Sequence, residues 1–308
     1  MDMNRTILQG DVLEKIKEIH GKSIDVVISS PPYWNLRNYG VEGQLGLEPD
    51  FNDYLNTMQK IMDEIKHVLK DTGTCWINLG DTYNNKSLVG IPERFYINCL
   101  DNGWLSRNHN AWIKNNSMPS SVKDRFTNKW ESVFFFTKQQ KYYFNLDDVR
   151  VPTKTDTKPF NVRVRDSDTN RFLQGATNNE KQHHNRKGEL KASKEWMFKW
   201  QKNEDSIHGT NTNHPKGKNP GNIFQINTKP FKEAHFATFP PELPEFILKC
   251  ACPKDGIVLD PFFGSGTVGL VAEQLGLNWI GIELNKEYIE IANKRLEKYR
   301  NHRLEVFT

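Results

Sequence analysis

The chain has 308 residues, with 42 lysines and arginines against 38 aspartates and glutamates, a formal charge of +4 and a pI near 8.7. That length suits one large α/β domain with an insertion, or two domains, and the mild positive charge permits a polyanionic partner without demanding one. No apolar stretch nears the roughly 20 residues of a membrane span, and Met1-Asp2-Met3-Asn4-Arg5 lacks the apolar core of a signal peptide, so a soluble intracellular protein is expected.

Thr6-Ile7-Leu8-Gln9-Gly10-Asp11 reads as a short strand ending in Gly-Asp, and a helix follows through Val12, Leu13, Ile16 and Ile19. Ile24-Asp25-Val26-Val27-Ile28 has the β-branched make-up of a short buried strand. Pro31 and Pro32 forbid its continuation, so Ser29-Ser30-Pro31-Pro32-Tyr33 becomes a stiff turn at a strand's carboxyl end. In open α/β sheets ligands bind there. A hydroxyl beside a fixed carbonyl accepts two hydrogen bonds from an exocyclic amine, while the neighbouring ring stacks on the base that carries it. With its hydrogens held, the amine points its lone pair outward and becomes a usable nucleophile without a strong base. A Pro-Pro turn can also do no more than end a strand, and the rest of the chain has to decide.

Residues 54–69 place Leu55, Met58, Ile61, Met62, Ile65, Val68 and Leu69 on one helical face, and Lys70-Asp71-Thr72-Gly73 reads as the stop. A strand over 74–79 then runs into Gly80-Asp81, and a helix over 92–102 is closed by Gly103. Two more strands are predicted at 110–114 and 132–137, joined by a polar, basic stretch with Pro119, Lys123, Arg125 and Lys129.

From Val151 to Thr228 aliphatic residues thin out, and Lys, Arg, Asn, His and Gly take over around the rings of Phe160, Phe172, Trp196, Phe198 and Trp200. Disordered linkers usually lack such rings, so residues 151–228 read as an inserted, loop-rich module with a basic face. A solvated surface excursion is the alternative. Four cysteines, Cys75, Cys99, Cys250 and Cys252, lack the spacing of a zinc site, and the last two lie too close for a relaxed disulfide. They are read as core residues, with no metal site expected.

Phe239-Pro240-Pro241-Glu242 opens a helix with Leu243, Phe246, Ile247 and Cys250 on one side. Ile257-Val258-Leu259-Asp260 is the next strand, followed by the loop Pro261-Phe262-Phe263-Gly264-Ser265-Gly266-Thr267, a helix through Val268, Val271, Ala272 and Leu275, the strand Trp279-Ile280-Gly281-Ile282-Glu283 and a last helix over 286–299. Strand, Gly-x-Gly loop, helix, strand and acid make a nucleoside-cofactor unit: the glycines admit close backbone approach, and Glu283 stands where ribose hydroxyls are held. A third loop glycine or a Gly-Lys-Ser/Thr phosphate grip is lacking. Asp260 and Glu283 flank the loop with negative charge instead, which suits a cationic sulfonium better than phosphates and favours S-adenosylmethionine.

Taken together, Ser30-Pro31-Pro32-Tyr33, Asp260-Pro261-Phe262-Phe263-Gly264-Ser265-Gly266-Thr267 with Glu283, and the Gly10-Asp11 strand end resemble the amino-group DNA methyltransferases of restriction-modification systems. The catalytic turn precedes the basic insert and the cofactor loop comes last, as in the beta arrangement of that family. His235-Phe236-Ala237-Thr238-Phe239-Pro240, the stretch from Trp112 through Lys114 to Pro119, and Glu131-Ser132-Val133-Phe134-Phe135-Phe136 match as well.

The resemblance implies an α/β, Rossmann-like methyltransferase fold with a mostly parallel seven-stranded sheet. Residues 1–150 and 229–308 would form the catalytic and cofactor-binding domain, and 151–228 the target-recognition region. It implies that Ser30 and the Pro31 carbonyl accept from the target amine, with Pro32 stiffening the turn and Tyr33 stacking on a flipped base. For S-adenosyl-L-methionine it implies Asp11 at the adenine amino group, Phe262 or Phe263 against the adenine, and Glu283 on ribose. Gly264, Gly266 and Thr267, then Thr238 and Phe239, would line the methionine part, and Asp260 would flank the loop. Asp81 faces the sulfonium or is a turn acid. Serine at position 30, where adenine methylases usually carry an acid or Asn, marks cytosine N4 methylation in this family. Carbon-5 methylation needs a cysteine nucleophile, commonly after proline, and no cysteine here follows one.

The expected partner is double-stranded DNA, with a cognate endonuclease acting separately, no membrane, and a monomer or homodimer in the cytoplasm at the nucleoid. Adenine as target, an RNA or protein amide as acceptor, and a catalytically silent DNA-binding protein stay open as alternatives.

Overall fold

The computed structural model describes residues 4–117, 120–152, 214–228 and 239–307. By backbone contacts the chain falls into two compact units, residues 1–149 with 220–308, and residues 150–219. Phe160, Phe172, Trp196, Phe198, Trp200 and Thr238 lie outside the described residues. In the smaller unit Val151 and Lys218 form an antiparallel bridge, and Arg150 donates to the Gly217 carbonyl at 3.1 Å.

The larger unit is built on a sheet of eight strands among the described residues: β1 (Thr6–Gln9), β2 (Ile24–Ser29), β3 (Leu69–Leu79), β6 (Leu105–Ile113), β7 (Trp130–Thr137), β8 (Ile223–Gln225), β9 (Ile257–Asp260) and β10 (Asn278–Glu283). A separate two-stranded ribbon holds β4 (Tyr83–Asn84) and β5 (Ser87–Leu88). The order across the sheet is β1-β10-β9-β2-β3-β7-β6-β8. From β1 through to β3 the pairing is parallel, and β7 is antiparallel to both β3 and β6. The strand beyond the expected seven is β8, three residues that pair in parallel with β6 although they lie in the stretch read as the insert. With a single buried side chain, Phe224, β8 carries too little pattern to be seen in sequence.

Helices cover both faces. On one side α1 (Val12–Lys15), α2 (Phe51–Val68) and α3 (Ile91–Asp101) pack with Val27, Cys75, Ile77, Phe134 and Phe136. On the other, α4 (Glu242–Ala251), α5 (Thr267–Gln274) and α6 (Lys286–Phe307) pack with Val26, Ile28, Trp76, Val133 and Phe135. Alternate residues of each strand serve opposite cores, as the period of two requires. The predicted face of α2 is buried from Tyr54 to Val68, each such side chain contributing about 1.5–3 kcal/mol. The four cysteines are free and buried.

The predicted helix stop at Lys70-Asp71-Thr72-Gly73 lies inside a strand. β3 begins at Leu69, and its register against β2 jumps between Leu69 and Thr74. Gly73 fits this bulge because a Cβ there would sit 2.9 Å from the Asp25 carbonyl oxygen. Buried Asp25 accepts two 2.8 Å hydrogen bonds from Lys70 and one of 2.9 Å from the Ile257 amide, which ties β2 to β9.

From β2 the chain crosses through α2 to β3 on one side, and from β9 through α5 to β10 on the other. The strand order therefore reverses between β9 and β2. That crevice, at the carboxyl ends of the two strands, is where an open α/β sheet binds ligands.

Candidate active site

One cavity of about 480 Å³ opens at this switch point. The Ser30-Pro31-Pro32-Tyr33 turn leaves β2 into it, and the loop carrying Phe262, Gly264 and Thr267 leaves β9 into it, so two motifs far apart in sequence meet. Ser29 ties them together by donating to Asp260 Oδ1 at 2.6 Å. The Tyr54 hydroxyl donates to the Pro32 carbonyl at 2.9 Å and fixes the far side of the turn.

Around Ser30 lies a polar cluster that no local motif announces. Ser30 Oγ is 3.3 Å from Asn78 Oδ1 and 3.4 Å from the Tyr33 hydroxyl. Tyr33 donates to Glu131 Oε2 at 2.8 Å, Asn78 Nδ2 reaches the same oxygen at 3.2 Å, and Lys114 forms an ion pair with Oε1. Lys114 Nζ also lies 4.4 Å over the Trp112 ring. Ser30, Tyr33, Asn78, Trp112, Lys114 and Glu131 all line the cavity. Burial, then the charge of Glu131, raises the Tyr33 pKa well above the ordinary phenol value, so Tyr33 stays a neutral donor. Its ring is also held against Gly80, where a Cβ would lie 2.5 Å from Cε2.

The opposite wall is acidic. Asp260 is buried and accepts from Ser29 and from the Phe262 amide at 3.1 Å; burial raises its carboxyl to about 7 against those hydrogen bonds. Glu283 accepts from the amides of Gly264 and Asn285, each at 2.7 Å, and burial raises its pKa too. Asp11 lines the same wall while capping α1 through the Leu13 amide at 2.8 Å. The loop after β9 enters α5 at Gly266, whose φ of +79° a side chain would resist.

Asp11, Ser30, Pro31, Pro32, Tyr33, Phe239, Asp260, Phe262, Phe263, Gly264, Thr267 and Glu283 are thus brought to one cavity. Two expected members are not. Asp81 turns its carboxylate to the amides of Thr82, Gly90 and Ile91 at 2.9–3.0 Å and caps α3, because a strand end beside the crevice faces a helix N-terminus here and the carboxylate satisfies its amides. Gly266 packs instead of lining the cavity: a Cβ there would meet Ala292 Cβ at 2.9 Å. Of the two rings offered for an adenine face, Phe263 is stacked at 5.0 Å on Trp279 in the core, which leaves Phe262 as the half-buried one.

A family profile described as DNA methylase matches residues 24–294. The chain belongs to the N6/N4 DNA methylase family. Among its relatives, Type II methyltransferase M.SfiI of Streptomyces fimbriatus is 32% identical over 91% of this chain and 88% of its own length. Type II methyltransferase M.Cfr9I of Citrobacter freundii is 32% identical over 95% and 87%. The solved PvuII DNA methyltransferase (cytosine-N4-specific) superposes with a TM-score of 0.64 at 20% identity, covering 94% of this chain and 85% of its own. A DNA modification methylase of Thermus thermophilus, TTHA0409, solved in complex with S-adenosyl-L-methionine, gives 0.57 at 19% identity over 95% and 94%. These likenesses establish the methyltransferase fold for this N6/N4 methylase. Among the described residues no helix is long and apolar enough to cross a membrane, and no cluster of His, Cys, Asp and Glu has a metal-binding arrangement.

Proposed function

We propose that the chain methylates the exocyclic N4 amine of cytosine in double-stranded DNA, using S-adenosyl-L-methionine, as the modification half of a Type II restriction-modification system. The observation that carries this reading is the shared cavity: an amine-accepting turn and a nucleoside-type loop face each other across one switch point.

The cavity's chemistry fits that cofactor. Asp260 and Glu283 are carboxylates with raised pKa values and no cation among their perturbing neighbours, which is the environment a sulfonium and an ammonium group would complete. S-Adenosyl-L-methionine, when bound, supplies an electrophilic methyl carbon. Phe262 would take the adenine face, Asp11 the adenine amino group, Glu283 the ribose, and Gly264, Thr267 and Phe239 the methionine end.

Ser30 Oγ and the Pro31 carbonyl accept the hydrogens of the target amine and hold it in place, so catalysis is positioning and acceptor hydrogen bonding without a covalent enzyme intermediate. Beside Ser30, Lys114 offers N–H donors on the polar side of the cavity. A cytosine places its N3 and O2 acceptors along the edge next to N4, whereas adenine places one acceptor and a C–H there. A donor-bearing floor and a neutral hydroxyl together favour cytosine. Extruding the base costs a few kcal/mol, offset by phosphate contacts from basic residues of the 151–228 stretch.

Digesting DNA from cells expressing the chain to nucleosides, with parallel mapping of the modified positions, tests the reading. N4-methylcytosine in a fixed sequence is expected; N6-methyladenine overturns the base assignment.

A further inference from the structure

The loop that joins β6 to β7 springs from the rim of the cavity. Its two feet are cavity-lining residues, Lys114 and Glu131, and the Lys114 amide closes the base by donating to the Lys129 carbonyl at 2.7 Å. At its tip Phe126 is 96% exposed, and Trp130 at the start of β7 is 51% exposed.

A bare phenylalanine in water costs hydration and returns nothing unless something covers it. Here the loop that displays it is braced. The Arg125 guanidinium lies 3.9 Å over the Tyr83 ring, the Tyr83 hydroxyl is 3.5 Å from Asn128 Oδ1, and Lys86 pairs with Asp124 at 3.9 Å. The β4–β5 ribbon thus holds the loop in place through contacts on Arg125, Asn128 and Asp124, on either side of Phe126. Lys123, Arg125 and Lys129 surround the ring with positive charge.

We propose that Phe126 is the wedge that enters the duplex where the target base leaves it, with the flanking cations on the phosphates. This rests on the family's action on DNA and goes beyond the cavity chemistry, since Phe126 does not line the cavity. Trp130 follows Phe126 closely enough in the chain that the two lie at most about 13 Å apart, comparable with the roughly 12 Å width of a major groove. Apolar side chains inserted at base steps offset the lost stacking of an extruded nucleotide, and aromatic rings do so with little regard to sequence. The charge pattern selects nucleic acid over an apolar protein partner: the ring is isolated, and its neighbours are cationic.

The test uses the full chain without cofactor and a duplex bearing the sequence that modification mapping identifies, prepared fully paired and with the target base mispaired. Equilibrium affinities are measured by fluorescence anisotropy for the wild type, Phe126→Ala and Phe126→Trp. A mispaired target is already loosened, so it needs the wedge less. Phe126→Ala is expected to weaken binding of the paired duplex about tenfold and that of the mispaired duplex less than about twofold, with Phe126→Trp near wild type. Equal losses on both duplexes make Phe126 a plain docking contact and overturn the proposal, as does the absence of loss on either. An adenine product would overturn the base assignment above and leave this test intact, because the mapped target is used whichever base it is.

Discussion

The two walls of the cavity are built on opposite electrostatic plans. On the β2 side, Glu131 is paired with Lys114 and shared with Asn78 and Tyr33, so the carboxylate there is charge-balanced and fully engaged before substrate arrives. On the β9 side, Asp260 and Glu283 are held by hydroxyl and amide donors, and burial pushes both pKa values up. Removing charge from water without a counter-ion is costly. The first wall is thus finished, and the second is complete only around a cation. A neutral base that must be oriented calls for the former, and a charged cofactor whose arrival should be felt calls for the latter.

The largest expected effect comes from removing the side-chain acceptor on the finished wall that meets the substrate. Ser30→Ala should lower single-turnover transfer by about a hundredfold or more, while calorimetric cofactor affinity stays unchanged, because Ser29 and not Ser30 contacts the cofactor wall. Full transfer in this variant would remove the amine-acceptor role.

A second, smaller effect should appear on the unfinished wall as a pH dependence. Asp260 has its carboxyl raised by folding from the ordinary value of 3.8 to about 7. A group with a raised folded-state pKa stabilises the fold below its unfolded value, and that contribution is lost as pH rises through the folded value. Stability of the cofactor-free protein should therefore decline between about pH 4 and pH 7, a decline that Asp260→Asn removes. A cationic ligand prefers the ionised carboxyl, so cofactor affinity should fall by up to about tenfold per pH unit below 7, with proton release visible as a buffer-dependent heat in calorimetry. A flat affinity across about pH 5.5–8 would mean that Asp260 does not sense the ligand.

The same contrast explains what could be read from the chain. Both motifs are local: the β-branched run of Ile24–Ser29 broken by Pro31 and Pro32, and the Gly264-Ser265-Gly266 loop between Ile257–Asp260 and Thr267–Gln274, declare strand, turn and helix within a few residues of themselves. Asn78, Lys114 and Glu131 declare nothing. They meet because β3, β7 and β6 pair antiparallel in a register that sets Asn78 opposite Val133 and Trp112 opposite Glu131, and that pairing is fixed by cores on both faces of the sheet. Side-chain direction is equally non-local. Gly266 belongs to the cofactor motif yet serves the packing of α5 on Ala292, and Phe263 spends its ring on Trp279. Gly73 reads as a helix stop because a glycine after an amphipathic run usually is one; the neighbouring strand turned it into a bulge.

Asp81 gives the smallest effect and the sharpest check on that distinction. By position it is a strand-end acid one strand from the crevice, a natural candidate to meet a sulfonium. By geometry its two oxygens are used up on the amides of Thr82, Gly90 and Ile91. α3 starts after Gly90, which has no side chain to cap it, so the carboxylate satisfies amides that the helix leaves open and complements the positive end of its dipole. Asp81→Ala should cost about 1–2 kcal/mol of stability, seen as a few degrees in Tm, with cofactor affinity unchanged. Asp81→Asn, which keeps one carbonyl acceptor, should recover part of the stability. If cofactor affinity instead dropped in both variants while Tm held, Asp81 would belong to the cation-seeking wall, and the separation between a finished and an unfinished side of the cavity would have to be redrawn one strand further along the sheet.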